Sequence, residues 1–185
     1  MSEVVPPTAR PSRHTLNLGS GMQPRPGYII VDLRATTHPD VLADLNRFPY
    51  PFARTSFDEV LALDVVEHLS DVTRFMEEVH ALLVPGGFLE ITTPHFSSAN
   101  SFTDPTQVHH FGYFSFDYFT ADSKYSFYSV ARFVIEKRTV VFHPSRWNRL
   151  IAGFANRRPQ LWERRFCWLF PAWFLIFRLR AVRGA

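Results

Sequence analysis

Three residues near the start of the chain have types and spacings that suit a nucleoside: Gly19, Gly21 and Asp32. They lie in Thr15–Asp32, TLNLGSGMQPRPGYIIVD, where the short apolar run Leu16-Asn17-Leu18 breaks at Gly19-Ser20-Gly21. A second run, Tyr28-Ile29-Ile30-Val31, then ends on the carboxylate of Asp32. Glycines directly after a strand let the backbone turn tightly and approach a ligand with no Cβ in the way. An acid closing the next strand can accept hydrogen bonds from both hydroxyls of a ribose.

Two nucleoside ligands compete for such a pattern. A dinucleotide needs a helix N-terminus for its pyrophosphate and a third glycine three residues past the second. Position 24 is proline and Pro26 follows, which removes two amide donors and leaves no room for a regular helix. S-adenosylmethionine carries no phosphate and needs only the glycine turn and the acid, so the pattern favours it. A dinucleotide-binding oxidoreductase is the alternative enzyme class, and a non-catalytic binding partner is the alternative outside enzymes.

Proton-transfer candidates cluster later. Pro94-His95-Phe96 follows the apolar run Phe88–Thr93, and His109-His110 lies in a stretch rich in Ser, Phe and Tyr. A histidine suits removal of a proton from an acceptor hydroxyl because it titrates near neutral pH. His95 is the first candidate by chain position, and His109 the second. No carboxylate or thiolate joins these histidines at a recurring ligand spacing, so no metal site is expected. Aromatic rings in this stretch suit the walls of an apolar or sugar-like acceptor pocket.

The elements that must position these groups alternate between strand and helix. Apolar runs end on Asp32, Asp44 and Asp64, and Phe88–Thr93 delivers His95. Between them, Val72, Phe75, Met76, Val79, Leu82 and Leu83 recur at helical spacing, with Ser70 as the expected cap and Pro85-Gly86-Gly87 as the stop. This alternation requires a parallel sheet, whose ligands bind at the carboxyl ends of the strands. All four groups fall there. Phe127–Phe142 is expected to form two strands about Glu136-Lys137-Arg138.

One cysteine, Cys167, among 185 residues permits neither an internal disulfide nor a CxxC metal site, which suits a reducing cytoplasm. Residues 1–14 look like an unstructured Pro-rich leader without the apolar core of a signal peptide. The net charge of +3 conceals a division: residues 1–131 hold 8 Lys and Arg against 15 acids, and residues 132–185 hold 12 against 2. The domain is therefore expected to span 15–144, with 145–185 as a dispensable basic, aromatic appendage. Its apolar run, Phe166–Phe177, falls short of the ~20 residues needed to cross a bilayer. Trp and Phe bracketed by arginines suit an anchor at an anionic membrane surface on the inner face. No nucleic-acid-binding module is visible, and nothing in the sequence sets an oligomeric state.

LNLGSG, GYIIVDL, FDEVLALDVVEHL and LLVPGGFLEITTP, with the spacing between them, resemble the class I S-adenosylmethionine-dependent methyltransferases. The closest resemblance is to a small methyltransferase-domain group associated with glycan or lipid modification in bacteria, and it covers about residues 15–142. It implies a Rossmann-like, mostly parallel α/β sheet with helices on both faces. It also implies S-adenosylmethionine as cofactor and methyl transfer to oxygen of a small-molecule, glycan or lipid-linked acceptor. By motif, Gly19 and Gly21 would line the methionine part, Asp32 would bind the ribose, and Asp44 and Leu45 would meet the adenine. Asp64 would border the methionine amine and the methyl group. Asn17 stands where the family usually has an acid, and would hydrogen-bond the cofactor or a water without supplying charge. The short link from Gly21 to Tyr28 implies a first helix reduced to a turn.

Overall fold

Only a few residues separate the first two apolar runs, yet they pair side by side in the same direction. The computed structural model describes residues 14–22 and 24–183, so most of the expected leader, residues 1–13, lies outside the described residues. Strands β1 (Thr15–Leu18), β2 (Ile29–Asp32), β3 (Val41–Leu42), β4 (Phe57–Leu63) and β5 (Leu83–Pro94) are parallel. Strands β6 (Phe133–Val141) and β7 (Phe174–Ala181) complete one seven-stranded sheet in the order β3-β2-β1-β4-β5-β7-β6. β7 is antiparallel to both of its neighbours. The sheet reverses its winding between β1 and β4, which is where an open α/β sheet leaves a crevice for a ligand.

Pairing sets which side chains share a face. Leu16, Leu18, Val31, Val60, Ala62, Leu89, Ile91, Leu175, Phe177 and Leu179 fall on one face by register, and all are buried. Helix α1 (Val72–Leu82) adds Phe75, Met76, Val79 and Leu82 to the same core. Its N-cap is Asp71 rather than Ser70: the Asp71 carboxylate accepts the Arg74 amide at 2.8 Å, while Ser70 bonds Asn46. On the opposite face Glu59, Glu90 and Arg178 are only half-buried, and they pair, with Arg178 3.4 Å from Glu59 and 3.6 Å from Glu90.

Between β1 and β2 the described residues form turns and no helix, as the short link requires. The first helix is thus lost without loss of the parallel pair. The Glu136 region is a bulge and not a hairpin: β6 runs through it with a register shift between Ile135 and Lys137.

The expected boundary at residue 144 is wrong. Arg146–Arg157 and Pro159–Arg165 form helices α3 and α4, and β7 then enters the sheet between β5 and β6. The period of two in Leu175, Phe177, Leu179 and Ala181, all fully buried, fills the core. Phe166–Phe177 is therefore no continuous anchor, since its end is a core strand. Among the described residues no helix is long and apolar enough to cross a membrane.

Candidate active site

The glycine loop folds back over β2. The Gly19 amide donates to the Val31 carbonyl at 2.8 Å, and the Gly21 amide donates to Asp32 Oδ2 at 2.8 Å. Both glycines have left-handed backbone, with φ of 64° and 52°. A Cβ at Gly19 would lie 2.6 Å from a Val65 methyl, whereas nothing crowds Gly21. Gly19 thus closes the loop against the β4 end, and Gly21 leaves open space in front of its backbone. Asp32 also accepts the Arg34 amide at 2.9 Å through Oδ1. Each carboxylate oxygen keeps a further lone pair for a ligand hydroxyl.

Three more sequence-picked residues sit around this loop. Asn17 is buried, 1% exposed, and neither of its amide atoms has a hydrogen-bond partner among the described residues. A buried amide left unpaired costs about 1–3 kcal/mol, which a ligand or water would relieve. Asp44 turns its Oδ1 to the Asn46 amide and pairs with exposed Arg47, while Leu45 beside it is buried and its carbonyl accepts the Tyr50 hydroxyl.

Asp64 terminates β4 with φ of 57°, an uncommon conformation for an aspartate, and accepts the Thr92 hydroxyl at 2.9 Å. Strain of this kind concentrates at functional sites. Burial of its carboxyl, which is the main cause, raises its pKa above the usual carboxylate range, although the residue's surface is exposed on one side.

Sequence reasoning missed Glu67. It lies in the single turn Val66–His68 directly after β4, fully buried, with Oε2 unpaired among the described residues, and burial pushes its pKa up to about 7. The available signal was an acid inside the otherwise apolar Val65-Val66-Glu67. The Glu67 carbonyl accepts the amides of Val108 and His109 at 2.8 and 3.1 Å, and this staple brings the histidine loop to the strand ends. His109 Nε2 is buried and has no hydrogen-bond partner among the described residues.

Glu67 also makes stability depend on pH. Its folded pKa lies above the ordinary 4.5, so the folded state keeps a proton that the unfolded chain has released. That stabilisation is complete below about pH 4.5 and is lost as pH rises through about 7. Glu67→Gln has no such proton to lose. Without added ligand it is expected to be more stable than the native chain at alkaline pH, by on the order of 3 kcal/mol. The two should converge in acid. Urea melts at several pH values check this.

His95, the first candidate for the base, has no free ring nitrogen in this arrangement. Its ring is 0% exposed and both nitrogens are engaged, Nδ1 with the Ser97 hydroxyl at 2.8 Å and Nε2 with Glu163 Oε1 at 3.1 Å. Glu163 also accepts the Tyr113 amide, and the Ser97 hydroxyl accepts the Ala172 amide. His95 thus ties the end of β5 to α4 and to the entry of β7. Replacing it with alanine leaves these partners unsatisfied, at about 1–3 kcal/mol. The melting temperature is expected to fall by several degrees, with cofactor affinity little changed, as thermal denaturation and calorimetry would show.

His110 bonds Ser101 and stacks on Phe102, so the three histidines do not converge. Among the described residues no cluster of His, Cys, Asp or Glu could hold a metal ion. Of the expected pocket aromatics, Phe111, Phe116 and Phe119 are core, with Phe116 packed edge-on against Phe177.

The strand order, the glycine loop and the acid-tipped strand ends now stand together. Residues 21–91 match the family model described as a methyltransferase domain. This is the class I methyltransferase fold. An S-adenosylmethionine-dependent methyltransferase of Mesorhizobium loti superposes with a TM-score of 0.56 at 20% identity, over 90% of both chains. One from Archaeoglobus fulgidus superposes at 0.63 and 15% identity, over 92% of this chain and 86% of that one.

By sequence, the ubiquinone biosynthesis O-methyltransferase of Brucella ovis is 43% identical over 63 residues, 34% of this chain. The counterpart in Mesorhizobium japonicum is 39% identical over 67 residues, 36% of this chain. The matched stretch spans 22% and 23% of those relatives' lengths.

In this methyltransferase fold, the residues present fit S-adenosylmethionine. Asn17 offers an unsatisfied amide, Gly21 an open backbone, and Asp32 a carboxylate already fixed in place. Asp44 and Asp64 add acids at neighbouring strand ends, a field that favours a cation.

Proposed function

We propose that this chain binds S-adenosylmethionine over the carboxyl ends of β1, β2 and β4 and catalyses methyl transfer to an acceptor oxygen. The observation that carries this reading is the glycine loop closed onto Asp32 beside a buried, unpaired Asn17 amide. When bound, the cofactor supplies a methyl carbon already activated by its sulfonium. The residues then have chiefly to orient and to accept one proton, and orientation alone can contribute several powers of ten.

Asp32 holds the ribose hydroxyls, Asn17 meets the methionine part, and Asp44 and Leu45 flank the adenine. Asp64 sets the charge near the reacting carbon. His109, with its free Nε2, is the group that removes the acceptor proton. The relatives named as O-methyltransferases support oxygen over nitrogen or carbon. The acceptor is a small-molecule, glycan or lipid-linked hydroxyl.

Titration calorimetry of the purified chain with S-adenosylmethionine, S-adenosylhomocysteine and NAD tests the first half. Binding of the first two and not of NAD is expected. Binding of NAD instead, or of none of the three, removes the reading. Transfer of labelled methyl to phenolic and lipid-extract acceptors, lost in His109→Ala with cofactor affinity intact, tests the second half.

A further inference from the structure

The twelve cations after residue 131 divide by fold position. Four on or beside the last two strands are engaged: Arg138 with Asp117, Arg178 with Glu59 and Glu90, Arg180 with Glu136, and Arg183, just past β7, with the Leu83 carbonyl. The arginines of α3 and α4 are not. Arg146, Arg149, Arg157, Arg158, Arg164 and Arg165 are all exposed, and none has an acidic partner among the described residues. The only acid after Glu136 is Glu163, and it turns inward to His95 and Tyr113. Six uncompensated cations thus share one helical pair.

The same surface is apolar between the charges. On α3, Trp147, Leu150 and Phe154 follow one another at three- and four-residue spacing, so they share a helix face. That face points outward, since Trp147 is 79% and Leu150 72% exposed, while Ala155 is buried against the protein. Leu161 on α4 and Trp168 and Leu169 just beyond it are exposed as well. Phe154 packs edge-on against Phe166, which joins α3 to this turn. Large rings and leucines flanked by arginines suit the headgroup boundary of a bilayer, where apolar side chains enter and cations meet lipid phosphates.

We infer that the α3–α4 face docks on an anionic lipid bilayer. This differs from a tail anchor, because docking uses exposed helix faces while β7 stays in the core. The inference does not depend on the methyl-transfer reading. The patch does adjoin the proposed site: Trp168 packs on Phe96, with ring centroids 5.5 Å apart, and Glu163 of α4 holds His95 at the end of β5. A docked chain therefore presents the end of β5 close to the lipid surface.

Sedimentation of the full chain with vesicles decides it. The chain is expected to bind phosphatidylcholine vesicles containing phosphatidylglycerol, and at least tenfold less to phosphatidylcholine alone. Raising salt from about 0.1 M to 1 M shortens the screening length from about 10 Å to 3 Å and should release it. Replacing Arg149, Arg157 and Arg164 together by Gln should weaken binding about a hundredfold, since each arginine near an anionic surface contributes about fivefold. Trp147→Ser with Leu150→Ser should weaken it at least tenfold at an unchanged melting temperature, because both side chains are exposed.

Failure of the full chain to bind anionic vesicles overturns the inference. So does binding that ignores lipid charge and salt, or that survives both sets of substitutions. A dimer dissolved by the Trp147 and Leu150 changes, with vesicle binding untouched, would assign the face to a second copy instead.

Discussion

Cutting the chain after Pro144 is expected to abolish folding. The cut removes β7, whose Leu175, Phe177, Leu179 and Ala181 are fully buried and which lies between β5 and β6. Burying one large apolar side chain contributes about 1.5–3 kcal/mol. Three of them contribute about 4.5–9 kcal/mol, a large share of the roughly 5–15 kcal/mol that holds a typical domain together, and the cut also leaves unpaired edges on β5 and β6. Circular dichroism of the truncated chain should show no cooperative thermal transition, and the protein should aggregate through its exposed strands. A soluble, cooperatively melting fragment would mean that β5 and β6 can close the sheet without β7. The exposed-face variants of α3 are the natural control, since they alter the same segment without touching the core.

Asp32→Ala should cause the largest loss of cofactor affinity of any single substitution in the site. Two losses combine. The ribose hydroxyls forfeit a charged acceptor worth about 1.5–3 kcal/mol, a factor of about 10 to 150 in affinity. The Gly21 and Arg34 amides lose the carboxylate that holds the glycine loop to β2, at 2.8 and 2.9 Å. The loop then no longer stands ready for the ligand. Asp32→Asn retains one acceptor oxygen and should fall between the two. Calorimetric titration with S-adenosylmethionine on variants that melt cooperatively checks this. Unchanged affinity in Asp32→Ala would remove Asp32 from the site.

Both experiments separate what local pattern specifies from what packing decides. The parallel half of the sheet was legible because each strand ends in a signal of its own. Gly19-Ser20-Gly21 ends the first, Asp32 the second and Asp64 the fourth, and such punctuation follows from backbone sterics within a few residues. The amphipathic spacing of α1 is equally local. The strand-end acids could therefore be assigned to one edge of the sheet before any contact was known.

The remainder depended on partners far away in the chain. Phe166–Phe177 is a dense apolar run with arginines on both sides, and composition alone cannot divide it between a surface turn and a core strand. The division comes from β5 and β6, which pair with Phe174–Ala181 and bury every second side chain. His95 has the right type and position for a base, but Ser97 and Glu163, 68 residues away from it, occupy both of its nitrogens. Glu67 carries the opposite lesson: an ordinary-looking acid becomes a buried carboxyl titrating at about 7 because tertiary packing removes its water. Sequence by itself determined where the strands end and which groups stand there. Only the tertiary structure decided which of those groups are free to act, because hydrogen-bond partners and burial are supplied by segments that local sequence does not contain.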